Sequence, residues 1–283
     1  MSAYQADAAE DLFTEGPSAR FGYRRMGPRG GVPLLLLNRF RGTLDWWDPK
    51  FLDYLASDRD VIIFDNVGVG YSTGQPRDSV EALAGGAVEF LEALGVAQAD
   101  LLGWSLGGMI AQHVLLHRPN LVRKLVVAGS TPGGQVPGAP PPSEKVLGIM
   151  AKSQATAEDL VTLFFPETES GRAAGFEHLN RVGTRLAAGR GIVSQEAANG
   201  LLAAIVRFTS TPFEQVRSKL QTLTHPILYA AGMKDWLIPA LASFVAVEHV
   251  RSAKLVIYGD AGHAFLFQHA AEFTTEVRNF LEA

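Results

Sequence analysis

Short apolar runs alternate with helix-length segments along most of this 283-residue chain, and this alternation limits the folds open to it. The runs are continuously apolar, which is typical of strands buried on both faces of a parallel sheet. The predicted strands are residues 33–37, 61–64, 100–103, 124–128, 226–230 and 254–258. The predicted helices around them are residues 46–56, 80–94, 106–117, 241–249 and 270–281. This order predicts a doubly wound α/β fold with a mostly parallel sheet.

One interval, residues 133–222, contains no strand of this buried type. It opens with a stretch rich in proline and glycine, residues 133–142, whose composition is typical of a loop or hinge. Helical patterns follow over residues 143–152, 158–164, 171–188 and 194–210. We therefore expect a helical insertion between two strands of the sheet, with residues 1–132 and 223–283 forming the α/β core.

The composition excludes several other classes of protein. With 47% hydrophobic and 19% charged residues, the chain is too apolar to be disordered. Its formal net charge of −4 gives no electrostatic argument for nucleic acid or an anionic membrane as a partner. The chain has no cysteine, which excludes disulfides, thiolate nucleophiles and Cys-ligated metals. The N-terminus is acidic and no apolar run approaches the ~20 residues of a spanning helix, so we expect a soluble, cytoplasmic protein.

A short motif, Gly103-Trp104-Ser105-Leu106-Gly107, lies between a predicted strand and a predicted apolar helix. G-x-S-x-G in this context is typical of a sharp turn that presents the serine hydroxyl as a nucleophile. The turn is crowded, so the positions two before and two after the serine must be small, as Gly103 and Gly107 are. The amide of Leu106 would begin the helix and point at an oxyanion. The alternative is a glycine-rich helix start with an incidental serine.

At these residues the sequence resembles the α/β-hydrolase superfamily, from about residue 20 to the C-terminus. The resemblance implies a sheet of about eight strands, a helical cap over residues 133–222, and no cofactor or metal. Gly262-His263 resembles the family's loop before its last helix and implies that His263 is the base. The segment GMKDWLIP resembles the family's acid-bearing segment and implies that Asp235 orients that base. Asp260, three residues before the histidine, is the rival for the acid.

The loop after the first predicted buried strand departs from the family pattern. Where the family usually has His-Gly, this chain has Asn38-Arg39-Phe40-Arg41. Aligned by the end of the strand, the amide of Phe40 is the second oxyanion donor, with that of Arg39 as the alternative. The side chains of Arg39 and Arg41 could also bind a substrate carboxylate by a two-pronged hydrogen bond. The alternative for these arginines is a solvated loop position.

These features predict a cofactor-free serine hydrolase acting on a carboxylic ester or lactone of a small, largely apolar molecule. Trp104, Trp236 and Phe265 join Arg39 as candidate substrate contacts. His113 and His117 lie four apart on one helix but lack the Glu of an H-E-x-x-H motif, so no metal site is expected. Alternatives left open are amide or C–C bond hydrolysis, non-hydrolytic chemistry on the same triad (perhydrolase, haloperoxidase-like or lyase), and a ligand-binding receptor. A homo-oligomer is also left open.

Overall fold

Eight strands of the described chain form one sheet in the computed structural model, which describes residues 4–152, 154–189 and 191–283. The strands are β1 Leu12–Glu15, β2 Arg20–Met26, β3 Leu34–Leu37, β4 Val61–Phe64, β5 Ala99–Trp104, β6 Val122–Ala128, β7 Ile227–Gly232 and β8 Ala253–Tyr258. Their order across the sheet is β1-β2-β4-β3-β5-β6-β7-β8. β2 pairs antiparallel with both β1 and β4, and all other neighbours are parallel. The predicted doubly wound α/β fold is confirmed.

Helices cover both faces of this sheet. The α-helices of the described residues are α1 Pro49–Ala56, α2 Val80–Ala93, α3 Leu106–His117, α4 Glu144–Met150, α5 Ala157–Phe164, α6 Glu169–Ala188, α7 Gln195–Thr209, α8 Phe213–Leu220, α9 Ala240–His249, α10 Phe265–Gln268 and α11 Ala270–Glu282. In β3, Leu35 and Leu37 pack into the cluster that contains α2 and α3, while Leu34 and Leu36 pack into the cluster that contains α1 and α11. Because both faces are covered, β3 has no polar position along its length.

The sequence patterns missed two strands and misjudged a third. β1 and β2 form the antiparallel edge; β1 alternates between half-buried and exposed residues and β2 contains three arginines, so neither has a continuous apolar run. β8 was predicted to be buried on both faces, and this is wrong: its residues are half-buried or exposed. The reason is that β8 is the opposite edge of the sheet and pairs only with β7. An edge strand does not need apolar side chains on both faces.

Helices α4 to α8 lie between β6 and β7, where the sequence predicts a helical insertion. Helices α4 to α7 match the predicted segments to within a few residues at each end. Helix α8 was not predicted, because only Leu220 in it is buried. It packs beside α9 and places Leu220 in the hydrophobic cluster of the core. The assignment of residues 133–222 as a separate cap stays a prediction.

A buried ionic cluster joins the inserted helix α6 to the first core helix. Asp48 caps α1 by accepting a hydrogen bond from the amide of Lys50 at 3.0 Å. Its other contacts come from α6: the Nδ1 atom of His178 lies 2.8 Å from Oδ2, and the guanidinium of Arg181 donates to the same carboxylate. Burial opposes ionisation of Asp48, but these contacts outweigh it and lower its pKa. The cluster therefore fixes the middle of α6 on the core.

Another buried carboxylate ties together the loops that follow β3 and β4. Asp65, directly after β4, accepts hydrogen bonds from the amides of Leu44 at 2.9 Å and Tyr71 at 2.8 Å. Leu44 belongs to the loop after β3, and Tyr71 belongs to the glycine-containing loop after β4. One side chain thus sets the positions of two loops at the carboxyl edge of the sheet, where ligands bind in open α/β folds.

No helix of the described residues is both long and apolar enough to cross a membrane. Nor do those residues bring together three or more His, Asp or Glu side chains in a way that could hold a metal ion. His113 and His117 instead stack on each other in α3, with ring centroids 4.2 Å apart. Burial, and then the nearby charge of His117, lower the pKa of His113 to about 4.

We predict that this histidine pair makes the fold less stable in acid. Between the ordinary pKa of 6.5 and the value of about 4 in the folded protein, the unfolded chain binds a proton at His113 that the folded chain does not. Stability contributed here is therefore lost as the pH falls through this window. We expect His113→Gln to lose less thermal stability than the wild type over the same acidification. Parallel melting temperatures of the two proteins against pH would contradict this.

Candidate active site

Ser105 lies at the sharp turn between β5 and α3. Its backbone has φ 57° and ψ −120°, a conformation that a residue other than glycine adopts only under strain. Hydrogen bonds hold it there: its amide donates to the carbonyl of Ala128 at 2.9 Å, and its carbonyl accepts from the amide of Gly108 at 2.9 Å. The hydroxyl of Ser130 also donates to that carbonyl at 2.7 Å. The turn is thus fixed by β6 and by the first turn of α3.

Glycines are required around this turn because other backbone segments lie against it. A Cβ atom at Gly107 would lie 1.9 Å from the carbonyl oxygen of Leu37 at the end of β3. One at Gly103 would lie 2.2 Å from the carbonyl oxygen of Gly107. One at Gly108 would lie 2.5 Å from the Cβ of Ser130. The prediction that small residues are needed here is therefore explained by the close packing around the turn. The same packing places the end of β3 beside Ser105.

His263 and Asp235 are brought together by the loops after β8 and β7. The Nδ1 atom of His263 lies 2.7 Å from Oδ2 of Asp235, and both side chains are buried. The other carboxylate oxygen accepts from the amides of Leu237 at 2.8 Å and Ile238 at 2.9 Å. These contacts fix the orientation of the Asp235 side chain toward Nδ1 of His263, so that Nε2 is the ring nitrogen not engaged by Asp235.

Asp260, the rival acid, lies elsewhere. It pairs with Nε2 of His269 at 3.0 Å on the exposed surface. Among the described side chains, then, it is Asp235 and not Asp260 that contacts His263.

Two aromatic side chains contact His263 and help to fix its position. The indole N–H of Trp104 donates to the carbonyl of His263 at 3.0 Å. The ring of Phe164, from the inserted helix α5, stacks on the imidazole with centroids 5.8 Å apart. Ser105 and His263 line the same cavity. No direct hydrogen bond joins these two described side chains, and in ligand-free enzymes such contacts are often long until substrate binds.

Arg39 and Phe40, the two candidates for the second oxyanion donor, differ in whether the backbone amide already donates a hydrogen bond within the loop. The amide of Arg39 donates to Oδ1 of Asn38 at 2.8 Å, and Nδ2 of Asn38 donates to the carbonyl of Thr43 at 2.7 Å. Arg41 has φ 56° in a turn closed by the hydrogen bond from Gly42 to Arg39 at 3.0 Å. Since the Arg39 amide is used within the loop, Phe40 is the better of the two donors. The roles of Phe40 and Leu106 stay predictions.

A cavity of about 720 Å³ opens above Ser105 and His263. Residues of the core, including Arg39, Phe40 and Met109, form part of its lining. The insertion supplies an apolar wall made of Ile149, Met150, Leu160, Leu163, Phe164 and Ile205. The predicted insertion therefore faces the candidate site.

Of the four predicted substrate contacts, Arg39 alone lines this cavity. Trp104 and Phe265 are fully buried in the core, where Trp104 packs edge-on against Phe267 and Phe265 stacks on Tyr258. Trp236 is 54% exposed and does not line the cavity. These three predicted contacts lie within two residues of Ser105, Asp235 or His263 in sequence, and such nearness does not decide which way a side chain points.

The side chain of Arg39 is buried beside the cavity without an acidic partner among the described residues. Burial lowers its pKa to about 9, so the guanidinium is still protonated at neutral pH. Its Nη1 atom donates to the carbonyl of Phe40 at 2.7 Å, while its buried Nε has no hydrogen-bond partner.

Several residues around the site escaped the sequence reasoning. Met109, Leu237 and Ile238 line the cavity, each within four residues of Ser105 or Asp235. Gln112 links α3 to the segment that follows β6: its side-chain amide donates to the carbonyls of Gly108 at 3.0 Å and Thr131 at 2.9 Å. The one available signal was a lone polar Gln on the buried face of an apolar helix, a position that requires hydrogen-bond partners.

Comparisons with known proteins agree with this architecture. A family model described as the alpha/beta hydrolase fold matches residues 32–270. The 2-hydroxymuconate semialdehyde hydrolase of Pseudomonas sp. (strain CF600) is 27% identical over 277 residues, covering 89% of this chain and 87% of that protein. The non-heme chloroperoxidase of Streptomyces lividans is 27% identical over 274 residues, covering 92% and 95%. A solved alpha/beta hydrolase fold protein from Chitinophaga pinensis superposes with a TM-score of 0.88 at 30% identity, covering 98% and 99%.

The chain belongs to the alpha/beta hydrolase fold family, and it is an enzyme of that class. The family match begins just before β3 and ends at the start of α11, so it spans the turn at Ser105, the insertion and both loops that carry Asp235 and His263.

We predict that Gly107→Ala destabilises the fold although it lies in a helix, where alanine is normally favoured. The added methyl group would meet the Leu37 carbonyl at 1.9 Å, and backbone there cannot yield cheaply. We expect a loss of about 2 kcal/mol or more in the free energy of unfolding, measured in urea. Gly85→Ala in α2 is the matched control, because nothing lies within 4 Å of its added Cβ. It should gain up to about 1 kcal/mol. Equal stability of the two variants would contradict the packing argument.

Proposed function

We propose that the protein is a serine hydrolase that uses Ser105 as nucleophile, His263 as general base and Asp235 as the residue that orients the base. The observation that carries this proposal is the hydrogen bond of 2.7 Å between His263 and Asp235 at a cavity that also holds the strained Ser105. A serine hydroxyl is a weak nucleophile until a neighbouring base takes its proton, and an imidazole held in one tautomer by a carboxylate does this near neutral pH.

The proposed reaction passes through an acyl-enzyme. The Oγ atom of Ser105 attacks the acyl carbon while Nε2 of His263 takes its proton, and the oxyanion formed accepts hydrogen bonds from the amides of Leu106 and Phe40. As the C–O bond to the leaving group breaks, His263 returns the proton to the departing oxygen. Water then attacks the acyl carbon and gives a proton to His263. The bond between the acyl carbon and Oγ of Ser105 breaks, His263 returns the proton to Oγ, and the carboxylic acid is released.

The proposed substrate is a carboxylic ester or lactone of a small molecule with an apolar body. Its size follows from a cavity of about 720 Å³, within the range of small-molecule sites. Its apolar character follows from the wall that α4, α5 and α7 provide. We treat residues 133–222 as a cap that selects the substrate and excludes water, since none of the proposed triad or oxyanion groups comes from it.

The names of two relatives favour a second candidate function, in which the same residues carry out a different reaction. One carries the name of a 2-hydroxymuconate semialdehyde hydrolase and the other that of a non-heme chloroperoxidase, at the same 27% identity. Hydrolysis of a C–C bond or haloperoxidase-like turnover would use the same cavity. A panel of esters and lactones, followed by peracid formation and C–C cleavage assays, separates these possibilities by relative kcat/KM.

The test of the nucleophile is labelling with a fluorophosphonate, which reacts with activated serines. We expect the wild type to be labelled and to hydrolyse 4-nitrophenyl esters, and Ser105→Ala to lose both properties while keeping its melting temperature. Ser170→Ala is the matched control, because it removes an exposed hydroxyl in the first turn of α6. If Ser105→Ala is labelled to the same extent as the wild type, the proposal is overturned.

The acid is tested by a matched pair of variants. We expect Asp235→Asn to lower kcat for ester hydrolysis by about 10³–10⁴, because an amide favours the wrong imidazole tautomer. Asp260→Asn makes the same chemical change on the surface, where the carboxylate pairs with His269, and should leave kcat near the wild-type value. The reverse result would assign the acid to Asp260 and contradict the role proposed for Asp235.

A further inference from the structure

Arg39 is a buried cation that the fold does not neutralise. The residue is 7% exposed, and no carboxylate of the described residues forms an ion pair with it. One of its nitrogens, Nη1, donates to the carbonyl of Phe40, and its buried Nε has no partner. Burying a charge without a counter-charge is costly, so proteins rarely retain such a residue without a use for it.

The acidic residues closest along the loops after β3 and β4 are committed elsewhere. Asp45 binds Arg24 at 2.6 Å and the hydroxyl of Tyr71 at 3.0 Å. Asp48 belongs to the buried cluster with α6, and Asp65 accepts two backbone amides. These three carboxylates therefore have other partners, and Arg39, which lines the cavity, is open to a counter-charge from a molecule bound there.

Arg24 shows how this fold treats a buried arginine that has a structural role. It is 2% exposed, and its guanidinium donates to Asp45 and to Asp11, each at 2.6 Å. Arg39 instead lies among aromatic rings, with its guanidinium carbon 4.8 Å from the ring centroid of Trp46 and 4.7 Å from that of Phe164. Such contacts attract a cation weakly and leave its charge in place.

Arg39 lies on the same side of the cavity as the proposed catalytic residues. The ring of Phe164 touches both: its centroid is 4.7 Å from the guanidinium carbon of Arg39 and 5.8 Å from the imidazole centroid of His263. Ser105 lines the same cavity. A small molecule can therefore contact Arg39 at one end while its acyl carbon lies at Ser105.

We propose that Arg39 binds a carboxylate of the substrate, so that the substrate class is a small ester or lactone that keeps a free carboxylate beside its apolar body. The planar guanidinium presents paired N–H donors that match the two oxygens of a carboxylate, and the hydrogen bonds formed are charge-assisted on both sides. This inference deepens the proposed hydrolase function and rests on it for the identity of the scissile bond. The binding of the anion itself does not depend on catalysis.

The first test compares two esters that differ in one terminal group: mono-4-nitrophenyl adipate, which ends in a carboxylate, and 4-nitrophenyl hexanoate, which ends in a methyl group. We expect the wild type to prefer the adipate in kcat/KM by about 10-fold or more after subtraction of the uncatalysed rate. In Arg39→Met this ratio should fall by at least that factor. If the substitution also displaces the neighbouring amide of Phe40, both esters are affected alike, and the ratio of their kcat/KM values cancels that effect.

The control is Arg217→Met, which removes the same charge from the exposed surface of α8, away from the cavity. It should keep the wild-type ratio. A wild type without preference, or an Arg39→Met variant that slows both esters equally, would overturn the inference.

The second test measures binding without turnover. By calorimetry, we expect 4-phenylbutyrate to bind the wild type at least 10-fold more tightly than 4-phenylbutyramide, and Arg39→Met to lose this difference. Equal binding of the acid and the amide, or a preference that survives in Arg39→Met, would overturn the inference. If the wild type shows neither fluorophosphonate labelling nor ester turnover, the hydrolase proposal fails. The calorimetric result would still decide the role of Arg39.

The third test separates binding from a structural role. If Arg39 exists for a ligand, the ligand-free fold carries an unneutralised charge, and Arg39→Met should keep or raise the melting temperature. Arg24→Met is the matched variant, since it leaves Asp45 buried without its cation, and should lower the melting temperature. If Arg39→Met is destabilised as much as Arg24→Met, Arg39 is a structural residue and the inference fails.

Discussion

The strained backbone of Ser105 is the constraint on which the rest of the site depends. A residue other than glycine at φ 57° costs on the order of 1–3 kcal/mol, and the neighbouring structure must hold it in place. Here β6 binds its amide, Ser130 binds its carbonyl, and Gly107 lets the end of β3 approach to backbone contact. That approach sets the starting point of the loop carrying Phe40. The proposed nucleophile and the proposed second oxyanion donor are therefore positioned by one packing arrangement.

Much of this arrangement could be predicted because it follows strand order. In a parallel sheet the ends of the strands meet at one edge, so Ser105, Asp235 and His263, each after a strand, could be placed near each other from the sequence. Side-chain direction could not be predicted in the same way. Trp104 adjoins Ser105 in the chain but points into the core against Phe267, and Phe265 turns toward Tyr258. Strands β1 and β2 were also missed, because β1 is only four residues long with alternating exposure and β2 mixes three arginines with apolar residues.

The buried charges could not be read from the sequence at all, because their partners are distant along the chain. Arg24 and Asp45 are 21 residues apart, and His178 and Asp48 are 130 apart. These pairings decide which charges are structural. Only when they are assigned does Arg39 emerge as the buried arginine beside the cavity that lacks an acidic partner among the described residues. The sequence left open whether both Arg39 and Arg41 bind a carboxylate, and in the structure Arg41 lies more exposed and donates to the carbonyl of Lys152.

Asn38 has a consequence for how the site responds to acid. The family usually has a histidine there, and a histidine holding a loop changes its hydrogen bonds when it gains a proton. Asn38 holds the same loop with an amide, which accepts from the amide of Arg39 and donates to the carbonyl of Thr43 at every pH at which the protein is folded. The hydrogen bonds of Asn38 in the loop that carries Phe40 therefore involve no titratable side chain.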